Sequence, residues 1–146
     1  MKKLILAIPA ALLLSIVFSC GGRPGGLKDF RELVPEFTIR LNKAIKTNTY
    51  NELIALFDKQ CAIVLNTEFN PEMYHGHVGA RQYFSGIPGD VVFEIGEIEL
   101  QGLRAETVYN YKRKDGSRGS GVWQFKLNNM GKISEFTISP SEQKVE

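Results

Sequence analysis

The sequence has little of several things that would settle its nature at once. Only 2 Cys, 2 His and 1 Trp occur in 146 residues. Two cysteines exclude a small scaffold stapled by a disulfide framework. Neither sign of charge dominates, because 18 Lys+Arg stand against 16 Asp+Glu for a formal charge of +2. A balance so near zero gives no electrostatic reason to expect a nucleic acid partner. Internal repeats are lacking too. What is present is ordinary: 43% apolar and 23% charged residues, a composition that argues against disorder, collagen and coiled coil. The length suggests one domain.

The first 26 residues stand apart from the rest. Lys2 and Lys3 open a run from Leu4 to Phe18, broken only by Pro9 and Ser15. As a helix this run spans roughly 22 Å, short of the ~30 Å hydrocarbon core. A basic start, a short apolar stretch and small residues after it read as a signal peptide over residues 1–19. The segment Val17-Phe18-Ser19-Cys20 resembles the lipobox of bacterial lipoproteins, which implies cleavage before Cys20 and lipid on its sulfur. An ordinary secreted protein cut near Ser19 and a retained anchor are the alternatives. Each buried lipid CH₂ contributes about 0.8 kcal/mol, so several acyl chains hold a soluble domain durably on a membrane. Gly21-Gly22-Arg23-Pro24-Gly25-Gly26 cannot form a packed element and reads with Cys20 as a tether over 20–26. Gly21 after the cysteine, by the same resemblance, implies sorting to the outer membrane of the cell envelope. With Lys2 and Lys3 removed, the mature side-chain charge is zero, so lipid rather than charge must hold the domain at a membrane.

The remaining chain divides into a helical half and a stranded half. Phe30, Leu33, Phe37, Leu41, Ala44 and Ile45 recur at spacings of three and four, one helical stripe. Pro35 marks either its start or a kink. Thr49-Tyr50-Asn51-Glu52 reads as a capping box opening a second helix, with Leu53, Ile54, Leu56 and Phe57 on its buried side. Cys61 to Leu65 reads as a short buried strand, with Cys61 a buried apolar thiol. Asn66 to Met73 reads as a loop, and Gly76 to Phe84 as a third helix.

From Val91 the period becomes two. Val91, Phe93 and Ile95 alternate, then Ile98 and Leu100 continue on the other parity. A bulge at Gly96-Glu97 restores one face. Ala105, Thr107, Tyr109 and Tyr111 alternate next, then a hairpin turn at Lys114-Asp115-Gly116. Gly121, Trp123, Phe125 and Leu127 follow, then Phe136 and Ile138, and a polar tail over 141–146. Helices followed by antiparallel strands make an α+β pattern. Glu94, Glu99, Glu106, Asn110, Gln124 and Lys126 fall on the outer face of the sheet.

Three stretches carry a family resemblance: Thr49 to Asp58, Tyr74-His75-Gly76-His77-Val78-Gly79-Ala80-Arg81-Gln82-Tyr83-Phe84, and Gly121-Val122-Trp123-Gln124-Phe125 with Gly131-Lys132-Ile133. In this order they resemble the nuclear transport factor 2-like superfamily, in particular its SnoaL-like branch. The resemblance implies a domain over 27–140 shaped as a cone. Three N-terminal helices would pack on a strongly bent, mainly antiparallel sheet around a hollow. It also implies frequent homodimers through the outer sheet face. It leaves function open, since the superfamily includes isomerases, cyclases, dehydratases, binding modules and assembly domains.

Acid–base catalysis in such a hollow needs a carboxylate or imidazole there. The expected inner face holds no carboxylate, so His75 and Asp58 are the weak catalytic candidates. His75 precedes the third helix, and the matching family position often projects into the hollow. His75 and His77 are two apart, as metal ligands can be, but further ligands would have to converge. No metal and no cofactor are expected. Tyr109, Tyr111, Trp123 and Phe125, with His75, are the candidate pocket residues, offering hydroxyl and indole N–H groups in aromatic surroundings. Arg81 reads as a salt-bridged surface residue, with an anion clamp as the alternative. The leading expectation is therefore an envelope lipoprotein whose cone binds a small apolar molecule or a peptide without catalysis. An isomerase or dehydratase-like enzyme and an interaction module are the alternatives.

Overall fold

A computed structural model describes residues 29–141. The expected signal peptide, the Cys20 lipid site, nearly all of the tether-to-domain junction and residues 142–146 of the tail lie outside the described residues. Helix α1 spans Phe30–Thr47, the single-turn α2 spans Asn51–Ile54 and α3 spans Gly76–Ser85. The strands are β1 Phe57–Leu65, β2 Glu72–His75, β3 Val92–Gln101, β4 Arg104–Lys112, β5 Arg118–Leu127 and β6 Ile133–Pro140. They form one curved sheet of order β2-β1-β6-β5-β4-β3. Only the β1–β6 pairing is parallel. This is the α+β cone expected from the sequence.

Helix α1 forms where its stripe predicts, but it starts at Phe30 rather than at Pro35. Asp29 caps it, accepting from the Arg31 N–H at 3.1 Å, so one otherwise orphaned donor is satisfied. The helix then runs through Pro35. Its buried stripe includes Phe37, whose ring meets those of Phe57, Phe84, Trp123, Phe125 and Phe136 at centroid distances of 5.0 to 6.1 Å. Both layers of the fold therefore meet on this one side chain.

Three local expectations need correction. Thr49 does not cap a second helix. Its hydroxyl pairs with that of Thr47, and Glu52 pairs with Lys43 at 3.1 Å instead of reaching back to the cap. Phe57 belongs to β1, which starts four residues before Cys61. Glu72–His75 is an edge strand where the end of a loop and the approach to a helix were expected.

The second half follows its alternation closely. The β3–β4 register shifts between Ile95 and Ile98, where the bulge was expected. Gly116, with φ +89°, turns the β4–β5 hairpin, a conformation open to glycine but strained for other residues. Phe93, Ile95, Ile98, Ala105, Thr107, Tyr109, Trp123, Phe125, Phe136 and Ile138 turn inward onto the helices, while Glu94, Glu99, Glu106, Asn110, Gln124 and Lys126 are exposed.

Candidate functional site

The open end of the inner face is a hollow of about 210 Å³. Its floor is aromatic: Phe93, Tyr109, Tyr111 and Trp123, from three successive strands. Tyr109 stacks on Trp123 at 4.9 Å with 20° between the ring planes. Tyr83 and Phe84 of α3 wall one side, and Ile87, Pro88 and Val91 of the following loop form the rim with Arg113.

The tyrosines lie as they do because of two glycines on the neighbouring strand. Tyr109 is paired across the sheet with Gly121, and Tyr111 with Gly119. A Cβ at Gly121 would stand 2.6 Å from the Tyr109 hydroxyl, and one at Gly119 would overlap the end of the Tyr111 ring. Both phenol ends thus occupy the space where β5 would otherwise carry side chains. Glycine in a strand interior often marks such a close approach.

The polar atoms of this hollow share one property. Tyr109 and Trp123 are 4% and 2% exposed. The hydroxyls of Tyr83, Tyr109 and Tyr111 and the indole N–H of Trp123 take no part in any hydrogen bond among the described residues. Yet no buried side-chain nitrogen or oxygen among those residues lacks a partner. These atoms therefore border open space, and the hollow is the open space their residues line. Burial, with help from nearby Tyr111, pushes the Tyr109 phenol up to about 12. Burial also raises Tyr83, with Tyr109 adding to it. Both hydroxyls are consequently neutral donors at any physiological pH.

Among the described residues, Arg113 is the one charged side chain of the lining. Its Nε and Nη2 donate to Asp90 at 3.1 to 3.3 Å, and the Lys114 N–H donates to the same carboxylate at 3.1 Å. Arg113, then the Lys114 amide, hold the Asp90 carboxyl below its ordinary range. Asp90 sits on the rim loop, so this pair fastens the loop to the β4–β5 hairpin.

The sequence candidates are distributed as follows. Tyr109, Tyr111 and Trp123 line the hollow. Phe125 lies in the core beside Phe37 and Phe136. His75 is exposed and does not line it. Its neighbour Tyr74 pairs with Ile63 and packs on Tyr83 at 5.4 Å. The two-residue strand period then turns His75 to the outer face. His77, half-buried in the first turn of α3, bonds the Phe57 carbonyl at 2.9 Å. Asp58 braces a turn: it accepts from Asn128 Nδ2 at 3.1 Å and the Gln60 N–H at 3.0 Å. Arg81 donates to Asn51 at 2.8 Å. Cys61 is a buried free thiol whose pKa is raised, chiefly by burial and then by Asp58. Sequence reasoning overlooked Arg113 and Tyr83. Arg113 continues the inward parity of Tyr109 and Tyr111, and Tyr83 belongs to the helical stripe Ala80, Tyr83, Phe84, Ile87, so both signals were present.

No protein-family model and no curated protein matches this sequence. Solved structures do match in fold. A nuclear transport factor 2-like protein of unknown function from Exiguobacterium sp. 255-15 is 21% identical with a TM-score of 0.62, covering 75% of this chain and 98% of its own. Another, from Mesorhizobium loti, is 22% identical with a TM-score of 0.61, covering 79% and 96%. An epoxide hydrolase/cyclase-like enzyme from pyran ring formation in the polyether salinomycin is 17% identical with a TM-score of 0.62, covering 76% and 89%. At these identities the likeness is one of fold.

Proposed function

We propose that this chain is a lipid-anchored binding domain of the bacterial cell envelope whose hollow holds a small, largely apolar molecule. One observation carries the binding part. An aromatic hollow presents three hydroxyls and an indole N–H that no group among the described residues satisfies. Polar groups placed sparsely in an apolar cavity are the usual makeup of a small-molecule site. About 150 Å³ suffices for a benzene-sized guest, so a hollow of about 210 Å³ suits a guest of one or two rings.

Binding is favoured over acid–base turnover because, among the described residues, no carboxylate or imidazole lines the hollow. Burial pushes the Tyr83 and Tyr109 phenols further from neutrality, and Arg113 is held by Asp90. A general base works best with a pKa near the operating pH. The chain has 1 Trp, and Trp123 forms part of the floor, so tryptophan emission reports occupancy directly. Screening apolar compounds by Trp123 emission and native mass spectrometry is expected to find binders. A broad screen with none would overturn the reading.

The anchor rests on the Cys20 segment. Growth on labelled palmitate should mark the wild-type protein and leave Cys20→Ser unlabelled, and label in both would remove the anchor. The homodimer reading rests on the outer face, where Glu99, Arg104, Glu106, Lys126 and Glu135 bring charges of both signs to a shallow groove. A monomer in light scattering at high concentration would remove it.

A further inference from the structure

Resting on the binding reading, we infer that the hollow selects uncharged molecules carrying a carbonyl-type acceptor on an apolar body. The argument is an inventory of donors and acceptors. The polar side chains of the lining are Tyr83, Tyr109, Tyr111, Trp123 and Arg113. An indole N–H and a guanidinium only donate, and a phenol donates or accepts. Among the described residues, no carboxylate, side-chain amide or imidazole lines the hollow. A guest that brings only donors leaves the Trp123 indole unanswered, and an unmatched buried donor is costly.

Charge narrows the choice further. Asp90 occupies Nε and Nη2 of Arg113, so the rim carries a neutral pair rather than a free cation. A carboxylate guest would meet Asp90 as well as Arg113. An ammonium guest would be stripped of water among rings that hold no anion. A ketone, lactone or ester oxygen asks only for donors, and the hollow offers them.

The geometry also says which donors meet the guest. Gly119 and Gly121 let the Tyr111 and Tyr109 rings extend across β5, so their hydroxyls stand over the strand at successive inward positions. Tyr83 faces them from α3, close enough that Tyr109 perturbs its ionisation. The acceptor therefore sits between α3 and β5, and the apolar body lies on Phe93, Trp123 and Ile138.

Four probes of one shape test this on the mature full-length protein: 1-decalone, decalin, 1-aminodecalin and decalin-1-carboxylate. All are transparent where tryptophan emission is read, and calorimetry gives a second readout. Decalone is expected to bind about tenfold more tightly than each of the others. Tyr109→Phe and Tyr83→Phe should each bring the ratio of decalone to decalin affinity down towards one, whereas a general loss of folding would lower both affinities together. Decalin binding as tightly as decalone would overturn the inference and leave the binding domain standing. So would preference for the amine or the carboxylate. Silence from all four probes, in both readouts, would overturn the inference and count against the binding reading itself.

Discussion

Asn42 of α1 and Phe93 of β3 exchange two hydrogen bonds. The side-chain Nδ2 donates to the Phe93 carbonyl at 2.9 Å, and the Phe93 N–H donates to Oδ1 at 2.8 Å. β3 is an edge strand, so these backbone groups have no strand partner. One amide side chain supplies the donor and acceptor that a neighbouring strand would. The same contact fixes the Phe93 ring in the floor of the hollow.

Asn42→Ala should therefore destabilise the domain by about 1–3 kcal/mol, because two half-buried backbone groups lose their partner. Asn42→Asp should give no rescue. It keeps an acceptor but sets an anionic oxygen against the Phe93 carbonyl. Urea denaturation of both variants checks this, and wild-type stability in either would refute it.

Gly121→Ala should cost about 1–3 kcal/mol, as overpacking does. Its new methyl would meet the Ser139 carbonyl at 2.5 Å as well as the Tyr109 hydroxyl. Displacing Tyr109 from Trp123 should shift tryptophan emission. The nearest atoms to the new methyl of Gly119→Ala all belong to the end of the Tyr111 side chain, so it should perturb ligand affinity more than stability. Emission spectra and melting curves separate the two.

Alkaline pH should weaken the fold through Tyr109. Its folded pKa, about 12, lies above the ordinary 10.0. The unfolded chain therefore loses its proton first. The stabilisation is full below pH 10 and is lost as pH rises towards 12. Tyr109→Phe should flatten that loss in melts recorded between pH 9 and 12. An unchanged slope would show the phenol to be less shielded than its burial implies.

Acid acts through Asp90, with the opposite sign. Its carboxyl is held below the ordinary 3.8 by Arg113. The contribution is present above that value and is lost as pH falls through the depressed one. The gap in melting temperature between wild type and Asp90→Asn should be seen at pH 7 and close in acid below pH 3.8. A gap that persists there would mean the loop is held by something other than this ion pair.

Much of the architecture was legible because burial imposes a period. The α1 stripe, the parity change at Gly96-Glu97 and the alternation through Tyr109 and Tyr111 all reflect one face turned to a core. β2 left no such mark: Glu72, Met73 and His75 are exposed, and only Tyr74 turns inward. The end of the loop before it was therefore mistaken for irregular chain. Thr49 and Glu52 match a capping box, yet Lys43 and Thr47 offer those side chains other partners. The hollow was half legible. Its floor belongs to alternating strands, but its wall and rim come from α3 and the loop after it, and no local pattern says which strand they will face.

The place of β6 bears on when this protein can fold. Residues 133–140, the last strand described, lie between β1 and β5. Until they arrive, β1–β2 and β3–β5 are two separate ribbons with no shared edge. The parallel β1–β6 pairing joins Ile63 to Phe136 across most of the domain, and contacts of such long sequence separation slow folding. Synthesis of the helices and the first five strands therefore leaves a chain that cannot yet close its sheet. Until β6 arrives, both ribbons keep an open edge facing the other, so the last strand described is the one whose docking completes the sheet.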